Sequence, residues 1–271
     1  MRKSTVRSKW LSGQPALCIA TALNDPTIAE VISLFGFDCI WLDMEHTPRS
    51  MDVAREIIRA TRAGNTDVIA RPARGEFMRM QRLLEAGATG IMYPRCADAH
   101  EAAEVVANVK FAPLGKRGCD SGNADGDYAG VELPEYIRHA NIETFLFIQV
   151  EDVAALDQVE KIVKVNGVDG VFFGPGDFSV LAGIPGQMDH PLITDATRRV
   201  AAAAKTAGKR WGMPGLSIEH VRRILEMGAS FMSGGGDLLF LRDGLAAVQK
   251  SFGPLGFSFN SLSAVATGRV V

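Results

Sequence analysis

The sequence predicts a closed barrel of eight parallel strands, each followed by a helix. Apolar runs of strand length alternate with helix-period runs about eight times in roughly 250 residues. The turn after the first strand reads Leu23-Asn24-Asp25-Pro26. It lacks the glycine fingerprint that a doubly wound, dinucleotide-binding sheet carries there, which disfavours the competing fold. No composition break divides the chain, so residues 1–252 form one barrel domain. The Gly- and Ser-rich tail at 253–271 packs on a neighbouring subunit or frays.

The elements follow in order. Residues 16–23 are the first strand, and Asn24 or Asp25 caps a helix beginning at Pro26. The second strand, 37–42, runs into Asp43-Met44-Glu45-His46, and the helix over 51–63 is closed by Gly64. A short strand at 68–70 delivers Arg71-Pro72 before a helix at 75–86. Strand four, 89–93, leads to Pro94-Arg95 and a helix over 98–110. Residues 111–133 read as a long loop, within which 121–132 is expected to act as a lid over the site, and 134–140 as a short helix. Strands five (145–150) and six (168–173) flank one helix, in which Val153, Leu156, Val159, Ile162 and Val163 recur at helical spacing. A helix at 191–207, strand seven at 210–213, a helix at 217–227, strand eight at 231–233 and a helix at 238–251 complete the pattern.

Bulk properties exclude several classes. Hydrophobic content of 47% with 22% charged residues suits a globular chain with ample core. The net charge of −2, without a basic cluster, leaves no footprint for nucleic acid. No apolar run approaches the ~20 residues of a membrane span, and the basic start MRKSTVRSKWLSGQ has no apolar secretory core. Cys18, Cys39, Cys96 and Cys119 show no metal spacing. A reducing cytoplasm is the expected compartment.

In such a barrel the chemistry sits at the carboxyl ends of the strands. Those ends carry Asp43, Glu45, His46, Arg71, Arg95, Gln149, Glu151, Asp177 and the run 233–237. Parallel strands five and six bring Glu151 and Asp177 to one rim. Two carboxylates there suit a divalent cation, and the Gly174-Pro175-Gly176 turn offers backbone N–H groups to an anion. The plain alternative is two ordinary acidic loop residues. An arginine opposite stabilises a developing oxyanion, and a histidine beside a carboxylate moves protons near neutral pH. The glycine run 233–237 reads as a second anion nest. These parts suit enolisation of a 2-keto acid. A Schiff-base route lacks its lysine, because Lys209 precedes strand seven and Lys161 and Lys164 lie on an outer helix.

At GFDCIWLDMEH (36–46), ARP (70–72), LLEAGATGIMYP (83–94), PLGKRG (113–118), QVED and GVDGVFFGPGDFS, the chain resembles the HpcH/HpaI family of class II 2-keto-acid aldolases. The resemblance implies a TIM barrel carrying Mg²⁺, Mn²⁺ or Co²⁺ on Glu151 and Asp177. It implies that His46 handles the proton, that Arg71 contacts the keto or enolate oxygen, and that Gln149, Gly176 and Asp177 position the substrate. Glu85 stands where the family's histidine-supporting Asp is expected. Arg95 replaces an apolar residue and is a candidate clamp for a second carboxylate. The implied activity is cleavage or formation of 4-hydroxy-2-keto acids through a pyruvate enolate, with an aldehyde or acid as the acceptor. The implied assembly is a homohexamer, a trimer of dimers, whose last barrel helix is exchanged between neighbours. Departures at Glu85, Arg95, 119–130 and SGGGD open two alternatives: oxaloacetate decarboxylation or condensation at the same site, and an inactive binding barrel.

Overall fold

The computed structural model describes residues 1–260. Its eight strands are β1 (Ala16–Thr21), β2 (Cys39–Asp43), β3 (Asp67–Arg71), β4 (Gly90–Tyr93), β5 (Phe145–Val150), β6 (Gly170–Phe173), β7 (Arg210–Pro214) and β8 (Phe231–Gly236). They pair in parallel, each with the next in sequence, and β8 closes on β1. The fold is thus the (β/α)₈ barrel that the alternating pattern predicts. The helices are α1 (Thr5–Leu11), α2 (Pro26–Leu34), α3 (Met51–Ala60), α4 (Phe77–Glu85), α5 (Ala99–Val109), α6 (Leu133–Glu143), α7 (Val153–Leu156), α8 (Val159–Ile162), α9 (Pro175–Leu181), α10 (Pro191–Ala207), α11 (Ile218–Glu226) and α12 (Asp237–Phe252). Among the described residues no helix is long and apolar enough to cross a membrane.

Strand side chains alternate between two cores. One set, including Ile40, Leu42, Ile91, Ile148 and Val171, packs outward against the helices. The other fills the barrel: Cys18, Cys39, Trp41, Ile69, Met92, Phe145, Phe147, Phe172 and Phe231. These rings fit because small residues face them. A Cβ on Gly90 would strike the Phe145 ring, and a Cβ on Gly170 would lie 2.7 Å from the Phe147 ring.

The basic N-terminus is a helix, which its polar composition concealed. Ser4 caps α1 by accepting the Arg7 amide, and Val6 and Trp10 are its buried residues. Trp10 plugs the amino end of the barrel. Its ring lies 5.5 Å from Phe145 and 5.7 Å from Phe147, and its Nε1 donates to Ser230 O at 2.9 Å. Buried Asp67 accepts from Ser4 Oγ at 2.6 Å and Val6 N at 2.9 Å, so strand three holds the plug in place.

Three other expectations change. The single helix over 153–163 is two short ones, α7 and α8. The turn after β6 continues as α9, because Pro175 suits a first helical turn. The 121–132 run, within the 111–133 segment, is not a lid over this chain's own site. Helix α5 descends to the amino end, where the chain must begin β5, so this segment stays at that end. Arg117 Nη2 donates to Asp125 Oδ2 at 2.7 Å, and Asp125 also accepts the Tyr136 hydroxyl at 2.7 Å. Of the 253–271 tail, residues 253–255 form a helical turn and 261–271 lie outside the described residues.

Candidate active site

The carboxyl rim is assembled from the ends of β2, β3, β5 and β6. Asp43 and Arg71 are register partners on adjacent strands. Their side chains form a two-pronged pair, with Arg71 Nε 3.0 Å from Asp43 Oδ1 and Nη2 2.8 Å from Oδ2. Burial pushes the Asp43 carboxyl up, but the hydrogen bonds and charge of Arg71 outweigh it and hold the group below the usual range. Asp43 Oδ1 also accepts the Glu45 amide at 3.0 Å. That short-range bond turns the chain and carries Glu45 and His46 back over the barrel mouth.

Arg71 is almost fully buried and lies 4.7 Å over the Trp41 ring. Its Nη1 reaches Gln149 Oε1 at 3.5 Å, and Gln149 Nε2 donates to Glu151 Oε2 at 3.2 Å. Gln149 therefore couples the arginine to the acid on the far side. Glu151 is buried, and its Oε1 accepts the Arg95 amide at 2.7 Å. Gly174 makes room for it, since a Cβ there would sit 2.6 Å from Glu151 Oε2.

These acids outnumber their partners. Burial pushes the Glu151 carboxyl up to about 7; the Arg95 amide and Arg71 counter this, while Glu45 and Asp177 add to it. Glu45 is raised too, first by burial, with Arg71 and His46 opposing and Asp43 and Asp177 reinforcing. Glu45 Oε2 is buried without a hydrogen-bond donor, 3.3 Å from Arg71 Nε and 3.6 Å from His46 Nε2. A raised carboxyl and an orphaned carboxylate oxygen at one place are what a divalent cation would relieve. Among the described residues no three His, Cys, Asp or Glu side chains gather as a metal-holding group. Glu151 and Asp177 would hold such a cation with its remaining positions open to substrate and water.

The rim thus gathers His46, Arg71, Gln149, Glu151, Gly176 and Asp177. His46 is exposed at the mouth, Asp177 is exposed in the first turn of α9, and space is open around Gly176. Arg95 stands at the edge with an exposed side chain and a left-handed φ of 50°. Glu85 is not brought to His46 within the chain. It ends α4 at the amino end, where burial raises its carboxyl and Arg117 and Asp125 are its charged neighbours. The 233–237 run is not an open nest either. Asp237 is buried and accepts the amides of Ala22, Leu23 and Leu238, which fastens the loop after β1. Sequence reasoning gave no role to Trp41, whose position two residues before Asp43 puts it on the same interior face. It also passed over Tyr93, which ends β4, and Glu101, which lies outside every strand-end motif.

A model of the HpcH/HpaI aldolase/citrate lyase family matches residues 19–243. The chain belongs to that family. A 4-hydroxy-2-oxo-heptane-1,7-dioate aldolase of Salmonella arizonae is 29% identical over 251 residues, covering 93% of this chain and 95% of that one. An HpcH/HpaI aldolase from Desulfitobacterium hafniense superposes with a TM-score of 0.87 at 28% identity, over 94% of this chain and 98% of that one. The citrate synthase SbnG has a TM-score of 0.85 at 22% identity, covering 92% of this chain and 98% of that one, and shows the shared fold. This member of the family carries an acid-rich site at the carboxyl mouth of its barrel.

Proposed function

We propose that this protein is a divalent-metal-dependent carbon–carbon lyase that cleaves 4-hydroxy-2-keto acids to pyruvate and an aldehyde, in the cytoplasm. The observation that carries the reading is the surplus of carboxylates around Arg71: Glu151 pushed up to about 7, beside an orphaned Glu45 oxygen. Glu151 and Asp177 would hold Mg²⁺, Mn²⁺ or Co²⁺. Bound there, the cation supplies Lewis-acid polarisation of the keto and carboxylate oxygens. Arg71, fixed by Asp43, Gln149 and Trp41, keeps N–H groups on both terminal nitrogens for the oxygen that gains charge in the enolate. His46 takes the proton from the 4-hydroxyl. The C3–C4 bond breaks, its electron pair passes into the enolate, and the aldehyde leaves. Protonation of the enolate carbon then gives pyruvate. Gln149 and the backbone at Gly176 orient the keto acid.

The experiment is pyruvate release from a panel of 4-hydroxy-2-keto acids. The reading expects turnover that EDTA abolishes and Mg²⁺ or Mn²⁺ restores. Turnover unchanged after EDTA and dialysis contradicts it. Oxaloacetate decarboxylation at the same rim loses one of its two motivations, because the altered 119–130 loop lies at the opposite end.

Helix α12 supports the exchanged-helix assembly. Leu238, Phe240, Leu241, Leu245, Val248 and Phe252 are exposed along it, and only Asp237 is buried. A helix with this much apolar surface requires a neighbour to cover it. A second subunit of the hexamer would supply that cover.

A further inference from the structure

We infer that Glu101, which touches none of the reacting groups, is a positioning residue for Glu151. It locks the bend that presents the Arg95 amide to that acid. The inference rests on the reading that Glu151 holds a cation.

Arg95 is one of five non-glycine residues with positive φ among the described residues, and it sits at the candidate active site. A side chain is rarely held in that region unless its surroundings over-determine it. Glu101, in the first turn of α5, supplies the constraint. Its Oε2 accepts the Ala97 amide at 2.7 Å and Arg74 Nη2 at 2.8 Å. Its Oε1 accepts Arg74 Nε at 2.7 Å and the Tyr93 hydroxyl at 2.8 Å. Tyr93 Oη in turn accepts the Gly75 amide at 3.1 Å. Tyr93 and Ala97 bracket the bend at 94–96, so both sides of it are tied to one carboxylate. Arg95 is at its centre, with its N–H on Glu151 Oε1. The loop after β3 is gathered into the same knot.

Without Glu101 the bend is free to relax toward an ordinary φ. The Arg95 amide then swings away, and a buried oxygen of Glu151 loses its donor. Loss of groups that orient metal-holding side chains costs about 10–100-fold in metal affinity. The bidentate bond to half-exposed Arg74 contributes least, because it ties only one loop.

The test compares the parent with Glu101→Ala, Glu101→Gln and Arg74→Ala. Mn²⁺ affinity is read by calorimetry, and the exchange rate of the Arg95 amide by nuclear magnetic resonance. Glu101→Ala is expected to weaken Mn²⁺ about 10–100-fold and to speed Arg95 exchange. Glu101→Gln keeps one accepting oxygen and falls between Ala and the parent. Arg74→Ala stays within about threefold of the parent. Affinity and exchange both unchanged in folded Glu101→Ala, even with lowered thermal stability, would make Glu101 a fold residue only and overturn the inference. A parent that takes up no Mn²⁺ sinks the cation reading instead. Arg95 exchange then decides alone, faster in the variant for the inference and unchanged against it. Should Glu101→Ala fail to fold, Glu101→Gln and Tyr93→Phe carry the same comparison.

Discussion

The two ends of the barrel use the same charged residue types to opposite effect. At the amino end charges pair off with opposite charges, although Arg117 Nε and Asp125 Oδ1 are buried without hydrogen bonds. Arg2 meets Asp67 at 3.1 Å, Arg7 meets Asp169 at 2.6 Å, and Arg117 meets Asp125 at 2.7 Å. Buried Lys110 is surrounded by the carbonyls of Asn141 and Thr144 and by Asp169. At the carboxyl end Asp43, Glu45 and Glu151 surround the buried Arg71 guanidinium, and Asp177 adds its charge beside the two glutamates. Buried Arg49 is tied to the carbonyls of Thr21, Leu23 and Asp43, while an oxygen of Glu45 has no donor. The difference teaches where to look for chemistry. Charge that neutralises itself holds a fold together, whereas charge left in surplus awaits a ligand.

If the ends divide the labour in this way, substitutions should separate activity from stability. His46→Ala removes an exposed side chain at the working end. It is expected to lower kcat for pyruvate release about 10²–10⁴-fold, with no change in Tm. Asp67→Ala does the reverse. It strips Ser4, Val6 and Arg2 of a buried acceptor and should cost about 3–5 kcal/mol. Urea unfolding will measure that loss, while kcat per folded molecule stays at the parent value.

The pH response sharpens the contrast. Glu151 titrates near 7 in the folded protein and near the ordinary 4.5 when unfolded. Between those values the folded state binds the extra proton, so stability falls as pH rises through the window. Added Mg²⁺ should restore it above pH 7, and Glu151→Gln should remove this component of the profile. Lys110, pushed down to about 8 by burial, gives the opposite slope, with stability rising from about pH 8 toward 10.5. Thermal melts across both windows check the pair. Arg95→Ala should have the smallest effect, raising KM about tenfold for a substrate with a distal carboxylate. A monocarboxylate substrate should be unaffected.

Much of this division was legible in the sequence, for a physical reason. Strand period and helix period alternate eight times, and carboxylates at strand ends land on one rim once the strands are parallel. That logic places Asp43, Arg71, Glu151 and Asp177 without further information. It fails where position depends on which way a connection runs. Glu85 follows a descending helix and so ends at the amino side, as does the 111–133 segment. It fails again where a polar sequence hides an apolar anchor, as in α1, whose Trp10 plugs the barrel. It fails for Asp237 and Glu101 because only the folded chain shows which amides they hold.

The claim beneath all of this is that the unbalanced acids share a divalent cation, and Mn²⁺ tests it most directly. The electron paramagnetic resonance signal of free Mn²⁺ would be followed as metal-stripped protein is added, in buffer one pH unit above the Glu151 pKa, for the parent, Glu151→Gln and Asp177→Ala. The account predicts that the parent quenches the signal saturably at one ion per chain and that either substitution abolishes the quenching. A parent that leaves the signal untouched, or variants that quench it equally well, would contradict it.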